Sequence, residues 1–332
     1  MQAPTLTHEL LDNLIRPGPR LPWIKKWLIE KVWTLPLYDS MSHIEYLKAG
    51  EDKVNRFEEL ASFTADRIYR ELLSPPDPDK RLLNVLKEDT VVVVFDGLSL
   101  REIPIILKLS ERSGFRVKEI DCSIAAIPSE TMDFVEREFQ CGKVSPTNLQ
   151  TRSELKGRGI TAIYTNNITQ GINAADGNSP LLVWSAFPDN TYTDSGSKFE
   201  NHFENIHIQF ETSWMHTVQQ IKGRKTIIIT SDHGYIFFGT GMDRTSSDRE
   251  IRELNRYFGN NINISFLDSP HPPNSDDIII DESKGIAMIK GRIKTRSTGD
   301  AATKLYKHGG LSLMEMLTPW VVLEIGVNEA GH

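Results

Sequence analysis

At 332 residues the chain can hold one large α/β domain or two ordinary ones, and 39% hydrophobic with 25% charged residues is the composition of a globular protein with a sizeable core. Only Cys122 and Cys141 are present, without a Cys-x-x-Cys spacing; this excludes a disulfide scaffold and a structural zinc finger, so any metal must be held by carboxylates, histidines and hydroxyls. The formal charge of −7 sets the whole-molecule field against nucleic acid or a phosphorylated ligand unless bound cations or local basic patches invert it.

The first thirty residues, with Pro4, Arg16, Pro17, Pro19 and Arg20, contain no long apolar run and so no recognisable signal peptide. No stretch reaches membrane-spanning length, and the expected location is cytoplasmic. Residues 1–88 read as a helical N-terminal segment. Within it, positions 45–73 place Leu47, Val54, Phe57, Leu60, Phe63 and Ile68 at mixed three- and four-residue intervals, and Ser74-Pro75-Pro76-Asp77-Pro78 ends the helix.

At residue 90 the character changes. Val91 to Phe95 is an unbroken β-branched and aromatic run, as in a strand covered on both faces in a parallel sheet. Asp96-Gly97 stops it, and an amphipathic segment over 99–113 follows with Ile103, Ile106, Leu107 and Leu109 as its stripe. Further strands are predicted at 117–120, 160–164, 181–186, 226–230, 264–267, 278–280, 285–293 and 321–325, with helices over 131–139 and 198–221. The alternation predicts an α/β fold over 89–326, with a doubly wound, mostly parallel central sheet and flanking helices. Residues 241–275 are polar and interrupt the rhythm with a short helix near 248–257 and then Ser269-Pro270-His271-Pro272-Pro273, which reads as a small cap insertion.

In open α/β sheets, ligand sites collect beyond the carboxyl ends of the strands, where loops converge. Asp96 and the pair Asp232-His233 fall there. A carboxylate beside an imidazole suits zinc, and Gly234 would let backbone come close to an ion; the plainer alternatives are an ordinary turn and a polar loop. Thr131 stands where a helix begins, with Ser129 as cap and Glu130 in the first turn, so its hydroxyl would sit in a field that favours phosphate. Those residues can equally be capping residues alone. Asp189 follows a strand and could add a carboxylate, or be a turn residue. His308 precedes Gly309 and Gly310 at a loop-to-helix boundary. Lys290, Arg292, Lys294 and Arg296 alternate along a predicted strand; they could meet a polyanion, or form a solvated face or charged sheet edge.

The order Asp96-Gly97, then Pro128-Ser129-x-Thr131 some 35 residues beyond Asp96, then Thr230-Ser231-Asp232-His233-Gly234, then His308-Gly309-Gly310-Leu311-Ser312-Leu313-x-Glu315-Met316 resembles the PglZ domain of the alkaline-phosphatase superfamily over roughly residues 90–326. The resemblance implies an alkaline-phosphatase-like fold and a two-metal site, with zinc expected and manganese or magnesium as alternatives. Asp96, Asp232 and His233 would hold one ion, with Thr131 the nucleophile coordinated to it. His308 and an aspartate near Asp189 would hold the other. Phosphodiesterase-type members carry a histidine four residues after that aspartate; Thr193 stands there instead, and Asp194 or His202 are the alternatives. The implied substrate is a phosphoester, with nucleotides and nucleic acid among the options. The family's association with BREX-type phage defence and with signalling implies protein partners and no membrane.

A haloacid-dehalogenase-type phosphatase would need a second aspartate where Leu98 stands. No P-loop is present, and Gly239-Thr240-Gly241 lacks the third glycine of a dinucleotide fingerprint. The rival from another class is a PglZ-like module that keeps the fold but serves as a binding or scaffold subunit.

Overall fold

The computed structural model describes residues 8–63, 67–74, 77–172, 179–191, 199–221, 223–238, 247–267, 270–293 and 306–325. Its centre is a six-stranded sheet in the order β2-β11-β5-β1-β4-β3. These strands are β1 (Thr90–Asp96), β2 (Phe115–Ile124), β3 (Thr161–Thr165), β4 (Leu181–Pro188), β5 (Thr226–Thr230) and β11 (Leu317–Ile325). The neighbours β5, β1, β4 and β3 run parallel, whereas β11 runs antiparallel to both β5 and β2. The expected doubly wound, mostly parallel sheet is present, with β1 in its middle.

The unbroken apolar run of β1 is explained by two-sided burial. Val91, Val93 and Phe95 face one hydrophobic cluster, while Val92 and Val94 face another. The first cluster takes in the helices Ile103–Arg112 and Phe199–His216 together with Val54, Phe57 and Ile68 of the N-terminal helices. The second takes in Phe134, Val135 and Phe139 of the helix Thr131–Phe139. In its described part the N-terminal segment forms helices joined by short turns, and no strand. The helical run anticipated over 45–73 is present as the helices His43–Phe63 and Arg67–Leu72, on either side of residues 64–66, which lie outside the described residues.

The remaining strands leave the main sheet. β6 (Ile236–Phe237) and β10 (Tyr306–Lys307) form a two-stranded antiparallel ribbon. The cap consists of the helix Asp248–Phe258 and a three-stranded antiparallel sheet, β7 (Asn263–Ser265), β9 (Ile286–Ile289) and β8 (Ile278–Asp281), around its own small core of Leu254, Phe258, Ile262, Ala287 and Ile289. The segments at 278–280 and 285–293 belong to it because their apolar residues complete that core rather than adding strands to the central sheet. The strand anticipated over 285–293 stops at Ile289, and Gly291 follows at φ +58°.

The described half of the alternating basic run, Lys290 and Arg292, departs from both readings. Lys290 and Arg292 are 3% and 2% exposed, and Arg292 is paired with Glu51 and Glu58, so these two side chains form neither a polyanion surface nor a solvated face. Lys294 and Arg296 lie outside the described residues.

Candidate metal centre

Strand ends deliver most of the site. Asp96 is the last residue of β1, Asp189 follows β4, and Ser231-Asp232-His233 follow β5, all at the carboxyl edge of the parallel strands. Thr131 opens its helix, and the β6–β10 ribbon returns the chain so that the His308 ring stacks on His233, with centroids 3.9 Å apart and planes 9° from parallel.

The first cluster is centred on the Thr131 hydroxyl. Its Oγ1 donates to Asp232 Oδ2 at 2.7 Å and lies 3.4 Å from Asp96 Oδ1 and 3.3 Å from His233 Nε2. Asp232 and His233 are fully buried, and the donor atoms of Asp96, Asp232 and His233 lie within 4.8 Å of one another. Several backbone and side-chain contacts hold these groups. Gly97 N donates to Asp232 Oδ1 at 3.0 Å, and Trp184 Nε1 donates to Asp96 Oδ2 at 3.2 Å. Ser231 Oγ lies 2.7 Å from the carbonyls of both Phe95 and His233 and accepts from Leu98 N at 2.8 Å, which ties the β1 and β5 loops together.

The second cluster, Asp189, His233 and His308, shares His233 with the first and again has its donor atoms within 4.8 Å. His308 Nε2 is 3.8 Å from Asp189 Oδ1, which also accepts from Tyr306 Oη at 2.8 Å. Thr193 and Asp194 and the side chain of His202 lie outside the described residues.

The histidine tautomers follow from their partners. His233 Nδ1 faces the Gly234 carbonyl at 3.0 Å and His308 Nδ1 faces the Ser129 carbonyl at 3.1 Å. A carbonyl only accepts, so each Nδ1 carries a proton, and in the neutral ring each Nε2 presents a lone pair toward the aspartates. Neutral imidazole nitrogens, carboxylate oxygens and a hydroxyl gathered in this way suit a borderline divalent cation such as zinc. Without one, burial raises the Asp96 pKa well above the ordinary carboxylate range, and the nearby charges of Asp232 and Asp189 raise it further.

One local expectation is corrected. Glu130, not Ser129, occupies the N-cap of the Thr131–Phe139 helix, and its side chain makes no capping hydrogen bond. The Ser129 hydroxyl is instead engaged with the other loop, donating to Gly310 O at 3.1 Å and accepting from Gly309 N at 2.9 Å. Gly234 is required by packing: a Cβ there would lie 2.1 Å from the Met314 carbonyl, and Gly234 N donates to Glu315 O at 2.8 Å.

Three supporting residues escaped sequence reasoning as site residues. Tyr306 and Trp184 hold Asp189 and Asp96, and nothing in their sequence setting marks them. Glu315 does carry a signal, because Ser312-x-x-Glu315 has the spacing of a capping box, and both bonds of that box are made. Its carboxylate also accepts from Gly310 N at 2.8 Å, bracing the loop that bears His308. Burial pushes its pKa up to about 7.

Beside this centre lies a cavity of about 530 Å³, lined by Glu130, Asp189, Asn261, Asn263, Tyr306 and His308 among others. Residues 260–263 form one wall and the segments bearing Asp189 and His308 the other.

No family model matches the sequence, and none of the curated proteins does. Among solved structures, the chain is similar to an inactive variant of murine ectonucleotide pyrophosphatase/phosphodiesterase 5 in complex with AMP, at 12% identity over 71% of this chain and 87% of that one, with a TM-score of 0.41. It is also similar to phosphonoacetate hydrolase from Sinorhizobium meliloti in complex with phosphonoformate, at 10% identity over 72% of this chain and 90% of that one, with a TM-score of 0.38.

Proposed function

We propose that this chain is a metal-dependent phosphoester hydrolase of the PglZ kind that cleaves a phosphodiester with Thr131 as nucleophile. The observation that carries the reading is the Thr131 hydroxyl. It stands at a helix N-terminus, within 2.7 to 3.4 Å of Asp232, His233 and Asp96. Asp96, Asp232 and His233 would hold one divalent ion with the Thr131 oxygen, and Asp189 and His308 the other. Zinc is the first choice, with manganese or magnesium as alternatives. Such ions would supply charge to lower the pKa of the hydroxyl and to neutralise developing negative charge on phosphoryl and leaving oxygens.

The chain's own groups account for the remaining steps. The unpaired N–H groups at the start of the Thr131–Phe139 helix favour a phosphate there. Asp232 orients Oγ1 through its hydrogen bond and takes the hydroxyl proton as Oγ1 attacks phosphorus; the bond from phosphorus to the ester oxygen opposite breaks, and that oxygen leaves as an alcohol with a proton from water. Water then hydrolyses the phospho-threonine. The cavity beside Asp189 and His308 has room for a second ester substituent, which favours a diester such as a nucleotide or nucleic-acid linkage over a monoester. Within a phage-defence or signalling assembly, other protein subunits would be its partners.

The rival reading, a binding or scaffold subunit, is favoured by one feature: among the described residues, Asp189 and His308 reach a three-ligand group only by sharing His233. Metal-replete protein is expected to bind about one or two zinc or manganese ions per chain and to hydrolyse bis-nitrophenyl phosphate. Thr131→Ala should lower that rate at least about 10³-fold without unfolding the protein. Turnover of neither mono- nor diesters by the loaded protein, or a wild-type rate in the variant, would overturn the enzymatic reading.

A further inference from the structure

Four charged side chains form a buried chain that the proposed reaction does not use. Glu51 and Glu58, on the N-terminal helix His43–Phe63, are 0% and 3% exposed; Arg101, beyond β1, and Arg292, at the end of the cap sheet, are 0% and 2% exposed. Arg101 Nε donates to Glu51 Oε1 at 2.6 Å, Arg292 Nη1 is bonded to Glu51 Oε2, and Arg292 Nε donates to Glu58 Oε2 at 3.1 Å.

Both ends of the chain terminate on backbone next to the paired histidines. Arg101 Nη1 donates to the Tyr235 carbonyl at 3.1 Å, two residues beyond His233, and also to Ser99 Oγ at 2.7 Å in the loop that follows Asp96. Its guanidinium lies 4.4 Å from the Tyr235 ring centroid. At the other end, Glu58 Oε1 accepts from Leu313 N at 2.5 Å, five residues beyond His308.

We infer that Glu51 and Glu58 are positioning residues: through Arg101 and Arg292 they set the spacing between the loop of His233 and the loop of His308, and so the separation of the two ligand clusters. This rests on the proposed metal centre for its purpose but not for its geometry. A buried ion-pair chain is seldom better for stability than well-packed apolar residues, because desolvating the charges offsets their attraction. What it supplies is direction: each bond has one donor and one acceptor site, so three segments distant in sequence meet in a single register. The N-terminal helix is then part of the site's frame although it contributes no ligand.

The test uses the imidazole nitrogen signals of His233 and His308 in the metal-free protein, with His207, on a separate helix, as the internal control. Glu58→Ala should displace the His308 signals beyond their line width and leave His207 in place, and Glu58→Gln, which can still accept from Leu313 N, should restore them in part. Zinc titration of Glu58→Ala should show the weaker site losing about 10- to 100-fold in affinity, the usual effect of removing support behind a ligand. A folded Glu58→Ala protein with a lowered melting temperature but wild-type His233 and His308 signals would overturn the inference. If Glu58→Ala does not fold, Glu58→Gln and Arg292→Lys decide by the same signals. A wild-type protein that takes up no metal refutes the hydrolase reading, while the metal-free signals still decide the positioning role.

Discussion

Asp96→Asn should make the metal-free protein at least as stable as the wild type while removing most of its stabilisation by zinc. The donor oxygens of Asp96 and Asp232 lie within 4.8 Å of each other in a largely enclosed site. Two full charges at that distance repel by about 3 kcal/mol at an effective dielectric constant of about 20. Asp96 escapes part of this by holding its proton: burial first, then Asp232 and Asp189, raise its folded pKa above the ordinary 3.8. A group whose folded pKa is raised contributes stability below its unfolded pKa and loses it as pH rises through the folded value. Metal-free wild-type protein should therefore weaken on going from mildly acidic to alkaline pH. The asparagine variant should show a flatter profile and a gain of up to about 3 kcal/mol at pH 8. The amide oxygen in the Oδ2 place can still accept from Trp184 Nε1, and the amide nitrogen in the Oδ1 place can donate to Thr131 Oγ1, so the exchange leaves few bonds broken. With zinc the order inverts, because ligand at about 1,000 times its dissociation constant adds about 4 kcal/mol to a protein that binds it only when folded. Denaturant unfolding in chelator and in zinc measures both halves. An Asp96→Asn protein weaker than wild type by more than about 1 kcal/mol in chelator, or one with an undiminished zinc response, would refute the reasoning.

Two further outcomes are open to the same unfolding measurements. Gly234→Ala forces a Cβ to 2.1 Å from a backbone carbonyl that cannot step aside, so a loss of about 1–3 kcal/mol or more is expected, and a variant within about 0.5 kcal/mol of wild type would show that the 314–315 turn yields freely. His43 packs against His207 with ring centroids 4.9 Å apart, and burial, then that neighbour, lowers its pKa from 6.5 to about 4. A depressed histidine pKa gives stability that is complete above 6.5 and lost as pH falls toward 4. His43→Leu should remove about 1–2 kcal/mol of that acid-side slope after allowance for solvent screening, and an unchanged slope would assign it elsewhere.

Much of the fold was legible because its signals are local. The apolar run Val91 to Phe95, the Asp96-Gly97 stop and the βα alternation each depend on residues within one element, and together they specify a sheet covered on both faces. The placing of the candidate ligands Asp96, Asp189 and Asp232-His233 at strand ends was legible for the same reason, since a strand end in an open parallel sheet is where a reactive side chain leaves the core. Tertiary structure alone decided the rest. Whether the strand ending at Ile325 runs parallel or antiparallel depends on the path of the chain from the cap, not on its own residues. Lys290 and Arg292 alternate like an exposed basic face, yet Glu51 and Glu58, more than two hundred residues earlier, neutralise Arg292 in the interior and turn that reading inside out. The same holds for His308, whose stacking on His233 is set by the β6–β10 ribbon and by Glu315. Spacing along a chain specifies which face of an element a side chain occupies; which charges meet across elements is settled only when burial makes an unpaired charge too costly to keep.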